Sequence, residues 1–312
     1  MPLARRSRRF RPRIYARRST RYGRRPRRYI AKAPRYRRKT ATRKRILNVS
    51  SRKKRDTMIA FRGTAATDDG VGPSILTNGL LGQPYMFAWV ATARDLDLGT
   101  GTPALSNIND DASRTATRTF WRGVKENVVL NTNSGHGWKW RRICFTYKSD
   151  SLMLLEESRS WLNLWRETTS NGFVRFTAKV LGLGTDASSE VVGQNIINVL
   201  FKGVGGVDWR SLINAPTDKD RVTIKYDKIR LIQGGNESAH ARTHKIWHGM
   251  NKTLIYDDDE DGGGKTASYL SSPSNKSMGD YYIIDIIEPN IGGVEGDTLY
   301  FEPQATAYWH ER

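Results

Sequence analysis

Apolar and polar residues alternate along several stretches of the chain, most clearly over residues 138–148. There Ile143, Phe145 and Tyr147 fall on one side, and the residues between them fall on the other. A period of two is typical of a β-strand that buries one face, so this pattern predicts a half-buried strand. Similar patterns predict strands at residues 56–61, 85–93, 119–131, 173–181, 221–232, 245–256, 299–301 and 305–309.

Four of the predicted elements carry additional detail. In residues 173–181 the alternation places Arg175 and Lys179 on the exposed face. Residues 221–232 change phase midway, which indicates a bulge. Residues 281–288 are almost entirely apolar, which predicts a strand covered on both faces. One helix is predicted from a set of apolar residues at the spacing i, i+4, i+7 and i+8: Val192, Ile196, Val199 and Leu200.

These elements predict an all-β fold. About eight strands are joined by long loops, such as the polar stretches 62–82 and 94–115, and residues 151–166 fit a helical pattern only in part. Strands and helices do not alternate regularly, which argues against a doubly wound sheet. We therefore expect a β-sandwich, a single eight-stranded jelly roll with long loops and one or two short helices.

Charge divides the chain into two parts. Residues 1–55 contain 25 Lys and Arg and no Asp or Glu, and we call them the basic segment. The whole chain carries a net charge of +21, so subtracting these 25 charges leaves −4 for residues 56–312. Like charges repel and little apolar surface is present, so we expect residues 1–55 to be a disordered arm and residues 56–312 to be the jelly-roll domain.

The composition of the basic segment favours nucleic acid as its partner over an anionic membrane or an acidic protein. Arginine pairs with phosphate through two parallel hydrogen bonds and stacks on bases, and interleaved tyrosines add further stacking faces. Short basic runs are also typical of nuclear-import signals. The predicted nucleic-acid-binding residues are Arg5, Arg6, Arg8, Arg9, Arg24, Arg25, Arg27, Arg28, Arg37, Arg38, Lys39, Arg43, Lys44, Arg45, Arg52, Lys53, Lys54 and Arg55.

Other features bear on the compartment. We expect no membrane partner, because no stretch reaches the ~18 consecutive apolar residues of a membrane span, and no secretory signal, because no apolar run follows the first charges. Cys144 is the single cysteine of the sequence, so an internal disulfide framework is excluded and a reducing compartment fits.

Motifs that would bind a phosphate or a cofactor are incomplete. Residues 182–187 match G-x-G-x-x-A, but no β-α-β alternation surrounds them, so we interpret them as a turn between strand and helix. Residues 262–266 resemble a phosphate loop, but Asp259 stands where the first glycine is needed. No nucleophile signature is present. We expect neither a cofactor nor an enzymatic activity.

Two groups of residues are weak candidates for metal binding. Asp257, Asp259 and Asp261 match the start of a calcium loop, but Ser268 occupies the position of the bidentate glutamate. We interpret the loop as a solvated tip. His240, His244 and His248 would suit a helix, but in the predicted strand only the last two share a face, about 13 Å apart, which is too far for one metal ion.

Longer sequence stretches, spread over most of the chain, resemble one family. They are Arg45–Met58, Phe120-Trp121-Arg122-Gly123, Trp140–Phe145, Asn251–Glu260 and the ending Ala307-Tyr308-Trp309-His310-Glu311. In these stretches the chain is similar to the capsid proteins of genomoviruses of the gemycircularvirus type.

The resemblance implies a virion protein whose jelly rolls self-assemble into a T=1 icosahedral shell around a circular single-stranded DNA genome. It also implies entry into the host nucleus through the host import machinery. About sixty copies with 25 arm charges each would neutralise roughly 1,500 phosphates, which is the scale of a small genome. The alternative is a cellular RNA- or DNA-binding protein with a basic tail, of ribosomal or chromatin type.

Overall fold

The structure is a computed structural model, and it describes residues 42–78, 83–96, 110–155, 158–234 and 238–311. Two α-helices, α1 Arg43–Ser50 and α2 Ala187–Leu200, and one 3-10 turn, Ser151–Met153, occur within them. The strands are β1 Arg52–Met58, β2 Ala60–Thr64, β3 Asp68–Val71, β4 Ser74–Thr77, β5 Tyr85–Val90, β6 Arg118–Thr132, β7 Trp138–Tyr147, β8 Leu154–Leu155, β9 Ser160–Trp161, β10 Glu167–Thr168, β11 Gly172–Phe173, β12 Arg175–Leu181, β13 Thr223–Ile232, β14 Ala241–Ile255, β15 Asp259–Asp261, β16 Gly264–Thr266, β17 Asp280–Pro289 and β18 Thr298–Glu311. Neither α-helix has the length and apolar character needed to cross a membrane.

Eight principal strands form two facing sheets. The first sheet has the order β1-β18-β6-β14, and the core of the second has the order β13-β7-β17-β5. Neighbouring strands in both sets are antiparallel, and the chain crosses between the sheets as a jelly roll requires. The predicted all-β jelly roll is therefore confirmed. Strands β12, β2 and β3 extend the second sheet beyond β5, and β4 pairs with β18 beside β1.

The outer side of the second sheet is covered by the segment between β7 and β13. Helix α2 packs Val192, Ile196 and Leu200 into the same apolar cluster as the residues of β17. The guanidinium of Arg141 donates to the carbonyl oxygens of Leu212, Ile213 and Ala215 at 2.7–3.1 Å. This cover fixes the loops between β12 and β13 against the sheet.

Two predictions about exposure are wrong because of this cover and the facing sheet. Strand β7 alternates as predicted, but both of its sides are buried, including Ile143 and Arg142. Arg175 was expected on an exposed face, yet it is buried between the sheets. Alternation of charged and apolar residues here reflects ion pairs inside the sandwich rather than contact with water. The prediction that β17 is covered on both faces is confirmed.

A network of charged groups crosses the centre of the sandwich. Arg142 donates to both carboxylate oxygens of Asp285 at 2.7 and 2.8 Å and to Glu126 at 2.6 Å. Arg175 bridges the same two carboxylates at 2.8 and 3.2 Å. His248 Nε2 lies 2.8 Å from Glu126. Two cations and two carboxylates balance each other, which is the condition for tolerating charge in a dry interior.

The network also sets the ionisation of its members. Burial alone would raise the pKa of Glu126, but Arg142, Arg175 and His248 together hold that pKa well below its ordinary value. The carboxylate therefore stays charged, and it joins the first sheet to the second by ion pairs as well as by apolar packing.

The boundary of the folded body differs from the prediction. Residues 43–50 form α1, and residues 52–58 form β1, which pairs along its whole length with β18 from Arg52↔Glu311 to Met58↔Ala305. The last part of the segment expected to be a disordered arm is thus helix and strand. The reason is the alternation of Lys54 and Met58 inward with charged residues outward, which charge counting overlooks. Residues 1–41 of the basic segment lie outside the described residues.

Candidate nucleic-acid interface

The outer side of the first sheet is open to solvent, in contrast to the covered second sheet. In β6 and β18 buried positions alternate with exposed or half-buried ones, apart from the adjacent buried residues Gly123 and Val124. Helix α1 approaches this side, where Arg45 and Leu47 line a cleft together with Phe120 of β6. The exposed positions carry six cationic side chains, which with their aromatic neighbours we call the basic face: Lys53, Arg55, Arg118, Arg122, Lys125 and Lys245.

None of these six cations forms an ion pair with a carboxylate among the residues that the structure describes. The buried arginines behave differently, since Arg114 pairs with Asp258 and Arg94 with Asp56. Charges inside the body are therefore neutralised within it, whereas those of the basic face remain free to bind an external anion.

Aromatic side chains lie between the cations. Phe120 and His310 are cross-strand neighbours whose ring centroids are 6.2 Å apart. Trp247, which is 52% exposed, lies 5.9 Å from the ring of Tyr308. This second pair depends on Gly123, because a Cβ atom at that position would lie 2.8 Å from the Trp247 ring and would clash with the His248 carbonyl oxygen.

The face combines the two chemical features that single-stranded nucleic acids require. Cations along a groove or sheet neutralise phosphates, and exposed aromatic rings stack with bases that are not paired. Neighbouring strands are about 4.8 Å apart, so cations on β1, β6 and β14 present charge in several rows across the sheet. The arrangement suits a flexible polyanion better than a single small anion.

A cleft of about 890 Å³ lies where α1 meets the basic face, and we call it the α1 cleft. Its lining combines three cations, Arg45, Lys53 and Arg122, with the rings of Phe120 and His310. The Ser51 hydroxyl lies 3.4 Å from His310 Nδ1. Burial lowers the pKa of His310, and the positive charges of Arg122 and Lys53 lower it further, so the imidazole is neutral at pH 7.

The structure places only some of the predicted binding residues. Arg45 lines the α1 cleft, Lys53 and Arg55 lie on the basic face, and Arg52 is exposed at the start of β1. Arg43 and Lys44 belong to α1. The other predicted residues lie outside the described residues: Arg5, Arg6, Arg8, Arg9, Arg24, Arg25, Arg27, Arg28, Arg37, Arg38 and Lys39.

Lys54 was predicted to bind nucleic acid, and this prediction is wrong. Its side chain is 3% exposed and points away from the basic face. The ammonium group donates to the carbonyl oxygens of Asp110 and Ser113, both at 2.8 Å, and lies 3.6 Å from Glu311. Lys54 therefore anchors the loop before β6 to the two terminal strands.

The structure does not bring the weaker sequence candidates together into a metal-binding group among the described residues. Asp259 and Asp261 lie in an exposed hairpin of β15 and β16, and Asp257 is exposed just before it. No group of three or more metal-ligating side chains occurs within the described ranges. Residues 182–186 form the turn between β12 and α2, as expected, and the Asp186 carboxylate caps the helix.

One group of three side chains has the geometry of a nucleophile with its general base, but a substrate cannot reach it. Cys144 Sγ lies 3.6 Å from His248 Nδ1, and His248 Nε2 lies 2.8 Å from Glu126. All three side chains are buried between the sheets, and burial raises the pKa of the Cys144 thiol. A protonated thiol that no substrate can reach is a packing residue rather than a catalytic one.

Sequence reasoning missed most of the basic face. The missed residues are Arg118, Phe120, Arg122, Lys125, Lys245, Trp247, Tyr308 and His310. Their signal was present, since basic and aromatic residues occupy the exposed positions of the predicted strands with a period of two. Only the strand order shows that these positions share one side of one sheet.

Comparisons with known proteins add little. No protein-family model and no curated protein matches the chain. Among solved structures, the unassembled VP1 pentamer of Washington University polyomavirus is similar at 8% identity and a TM-score of 0.11, over 84% of this chain and 93% of that chain. A TM-score this low carries no argument, so the fold rests on strand order and the site on its geometry.

Proposed function

We propose that this chain is the coat protein of a small icosahedral shell that packages single-stranded DNA. The observation that carries the proposal is the position of the basic face. One side of the jelly roll is covered by the chain itself, while the other side is open, cationic and aromatic. The basic segment joins the body on that same open sheet, at α1 and β1.

The two basic elements act on the same polyanion. Residues 1–41 contribute 18 Lys and Arg, which neutralise phosphates with little sequence preference and release condensed counterions. The basic face then contacts the strand that the segment has gathered. Its aromatic rings favour unpaired bases over a duplex, whose bases are already stacked.

The shell would form from about sixty copies in T=1 symmetry, as the resemblance to genomovirus capsid proteins implies. Several large apolar side chains in loops are more than 60% exposed, which supports contacts between copies. They are Leu183, Val204, Val207, Ile291 and Val294. As part of the same proposal, the protein belongs to the virion and enters the host nucleus through the host import machinery.

Electron microscopy and nucleic-acid extraction of the purified full-length protein test the proposal directly. We expect regular particles that retain single-stranded DNA. Deletion of residues 2–41 should abolish most of this retention and flatten its salt dependence, because 18 positive charges are removed. A full-length protein that stays monomeric, with no more affinity for oligonucleotides than the deletion variant, would contradict the proposal.

The alternative function is a cellular nucleic-acid-binding protein with a basic tail. The unpaired cations of the basic face suit that function equally well, so binding alone does not separate the two. Size does, because particles of megadalton mass support the shell, whereas monomers or dimers that bind RNA or DNA support the alternative.

A further inference from the structure

We propose that the α1 cleft is a nucleotide-binding subsite, in which one base of a single-stranded nucleic acid stacks against Phe120 and His310 while its phosphate binds Lys53 and Arg122. This inference rests on the proposed function, and it turns a general electrostatic surface into a defined site.

The cleft is large enough to hold one nucleotide. Its volume of about 890 Å³ falls within the range of small-molecule pockets, which is about 300–1,000 Å³. One wall is the sheet, through Lys53, Phe120 and His310, which come from the adjacent strands β1, β6 and β18. The opposite wall is α1, through Arg45 and Leu47.

The lining offers a base two kinds of contact. Phe120 is 36% exposed although it lies within the sheet, so part of its ring remains available. His310 lies beside it at 6.2 Å with a 43° tilt between the rings, which leaves a wedge rather than a closed pair. An aromatic ring inserted there gains stacking that water cannot supply.

The charges around the wedge favour an anion. Lys53 is the direct cross-strand neighbour of His310, and His310 is the neighbour of Phe120. Arg122 lies two residues along β6 from Phe120 and lines the same cleft. Neither Lys53 nor Arg122 forms an ion pair with a carboxylate among the described residues. A phosphate bound between them would supply the missing negative charge.

Photo-crosslinking of the assembled full-length protein tests the subsite. The probe is a single-stranded oligothymidylate in which one thymine is replaced by 5-iodouracil, which crosslinks on irradiation to aromatic side chains stacked on it. Mass spectrometry of the digested product should locate an adduct on Phe120 or His310. Adducts confined to residues 1–41 or to other parts of the body would overturn the inference.

Substitutions at Phe120 separate stacking from apolar contact. F120L keeps most of the side-chain volume but removes the ring, so the adduct yield in the cleft should fall about tenfold. F120Y should retain it. The matched control is W161L, because Trp161 is 53% exposed but belongs to the segment that covers the second sheet. Equal yields from F120L and the wild type would refute the subsite.

A second variant protects the test against misfolding. R122Q removes a cation from an exposed position and should lower the yield, whereas K228Q, an exposed lysine of β13 on the other sheet, should not. The two hypotheses also fail differently. If the wild type neither assembles nor retains oligonucleotide, the proposed function fails; if it does both but crosslinks elsewhere, only the subsite fails.

Discussion

Asp285 holds the centre of the sandwich together, and its substitution gives the sharpest test of the interior. Its carboxylate accepts two hydrogen bonds from Arg142 at 2.7 and 2.8 Å, one from Arg175 at 3.2 Å and one from the Trp140 indole at 2.8 Å. Changing Asp285→Asn keeps the shape of the side chain but leaves two buried guanidinium groups with Glu126 as their remaining carboxylate partner.

The magnitude follows from the burial of every member. Asp285, Glu126 and both arginines are at most 1% exposed, so water cannot screen the unbalanced charge. Breaking a buried ion pair by removing one partner costs about 3–5 kcal/mol. Whole domains are stable by about 5–15 kcal/mol, so D285N should lose a large share of the total. Equilibrium urea unfolding, followed by tryptophan fluorescence below the assembly concentration, measures the loss.

Arg141, the neighbour of Arg142 on β7, forms an ion pair that supplies a matched control. Asp227 receives the same two-point contact from Arg141, at 2.9 and 2.8 Å, but its side chain is 28% exposed. Arg141 also keeps its bonds to three backbone carbonyl groups. D227N should therefore cost about 1 kcal/mol or less.

Charge balance, rather than the loss of one contact, is the cause that we assign to the effect of D285N. If that is correct, adding R175M to D285N should recover part of the lost stability, because one cation and one carboxylate then remain. A cost below about 1 kcal/mol for D285N, or a further loss in the double variant, would refute this reasoning.

Three other expectations concern single residues. K53Q should lower the slope of log affinity for single-stranded DNA against log salt by about 1, without loss of stability. The adjacent K54Q should leave that slope unchanged. It should reduce the free energy of unfolding by about 1–3 kcal/mol, because it removes two buried hydrogen bonds. Burial raises the pKa of Asp280 to about 6 in the folded protein, so the folded state binds the proton more tightly than the unfolded state. The free energy of unfolding of the wild type should therefore fall by about 2–3 kcal/mol as the pH rises from 4 to 6. D280N should remove this fall in unfolding curves measured across that range. G123A should cost about 1–3 kcal/mol in urea unfolding, since φ is +149° there and the new methyl group meets the Trp247 ring, whereas G263A, with open space around it, should be neutral.

The sequence predicted the strands well because local alternation determines them. The expected strand at 119–131 is β6, Arg118–Thr132, and the expected helix is α2, Ala187–Leu200. The phase change in 221–232 corresponds to an irregularity between Ile224 and Tyr226. Each of these features depends on residues a few positions apart, which a single sequence displays directly.

Features that depend on distant residues were not predictable in the same way. Arg175 resembles an exposed arginine until Glu126 and Asp285 are brought beside it from 49 and 110 residues away. Lys54 resembles one more charge in a basic run until β18 covers it. The basic face was missed for the same reason, since its cations come from three strands that meet only when the sheet is assembled.

The pairing of β1 with β18 has a consequence for the order in which the molecule is made. Met58 pairs with Ala305 and Arg52 with Glu311, so β1 has no partner in the sheet until β18, which lies far along the chain, has also been synthesised. Contacts between residues so far apart in sequence carry a loop-closure cost that slows folding. The cationic residues that precede β1 are therefore joined to the first sheet only after β18 has been synthesised.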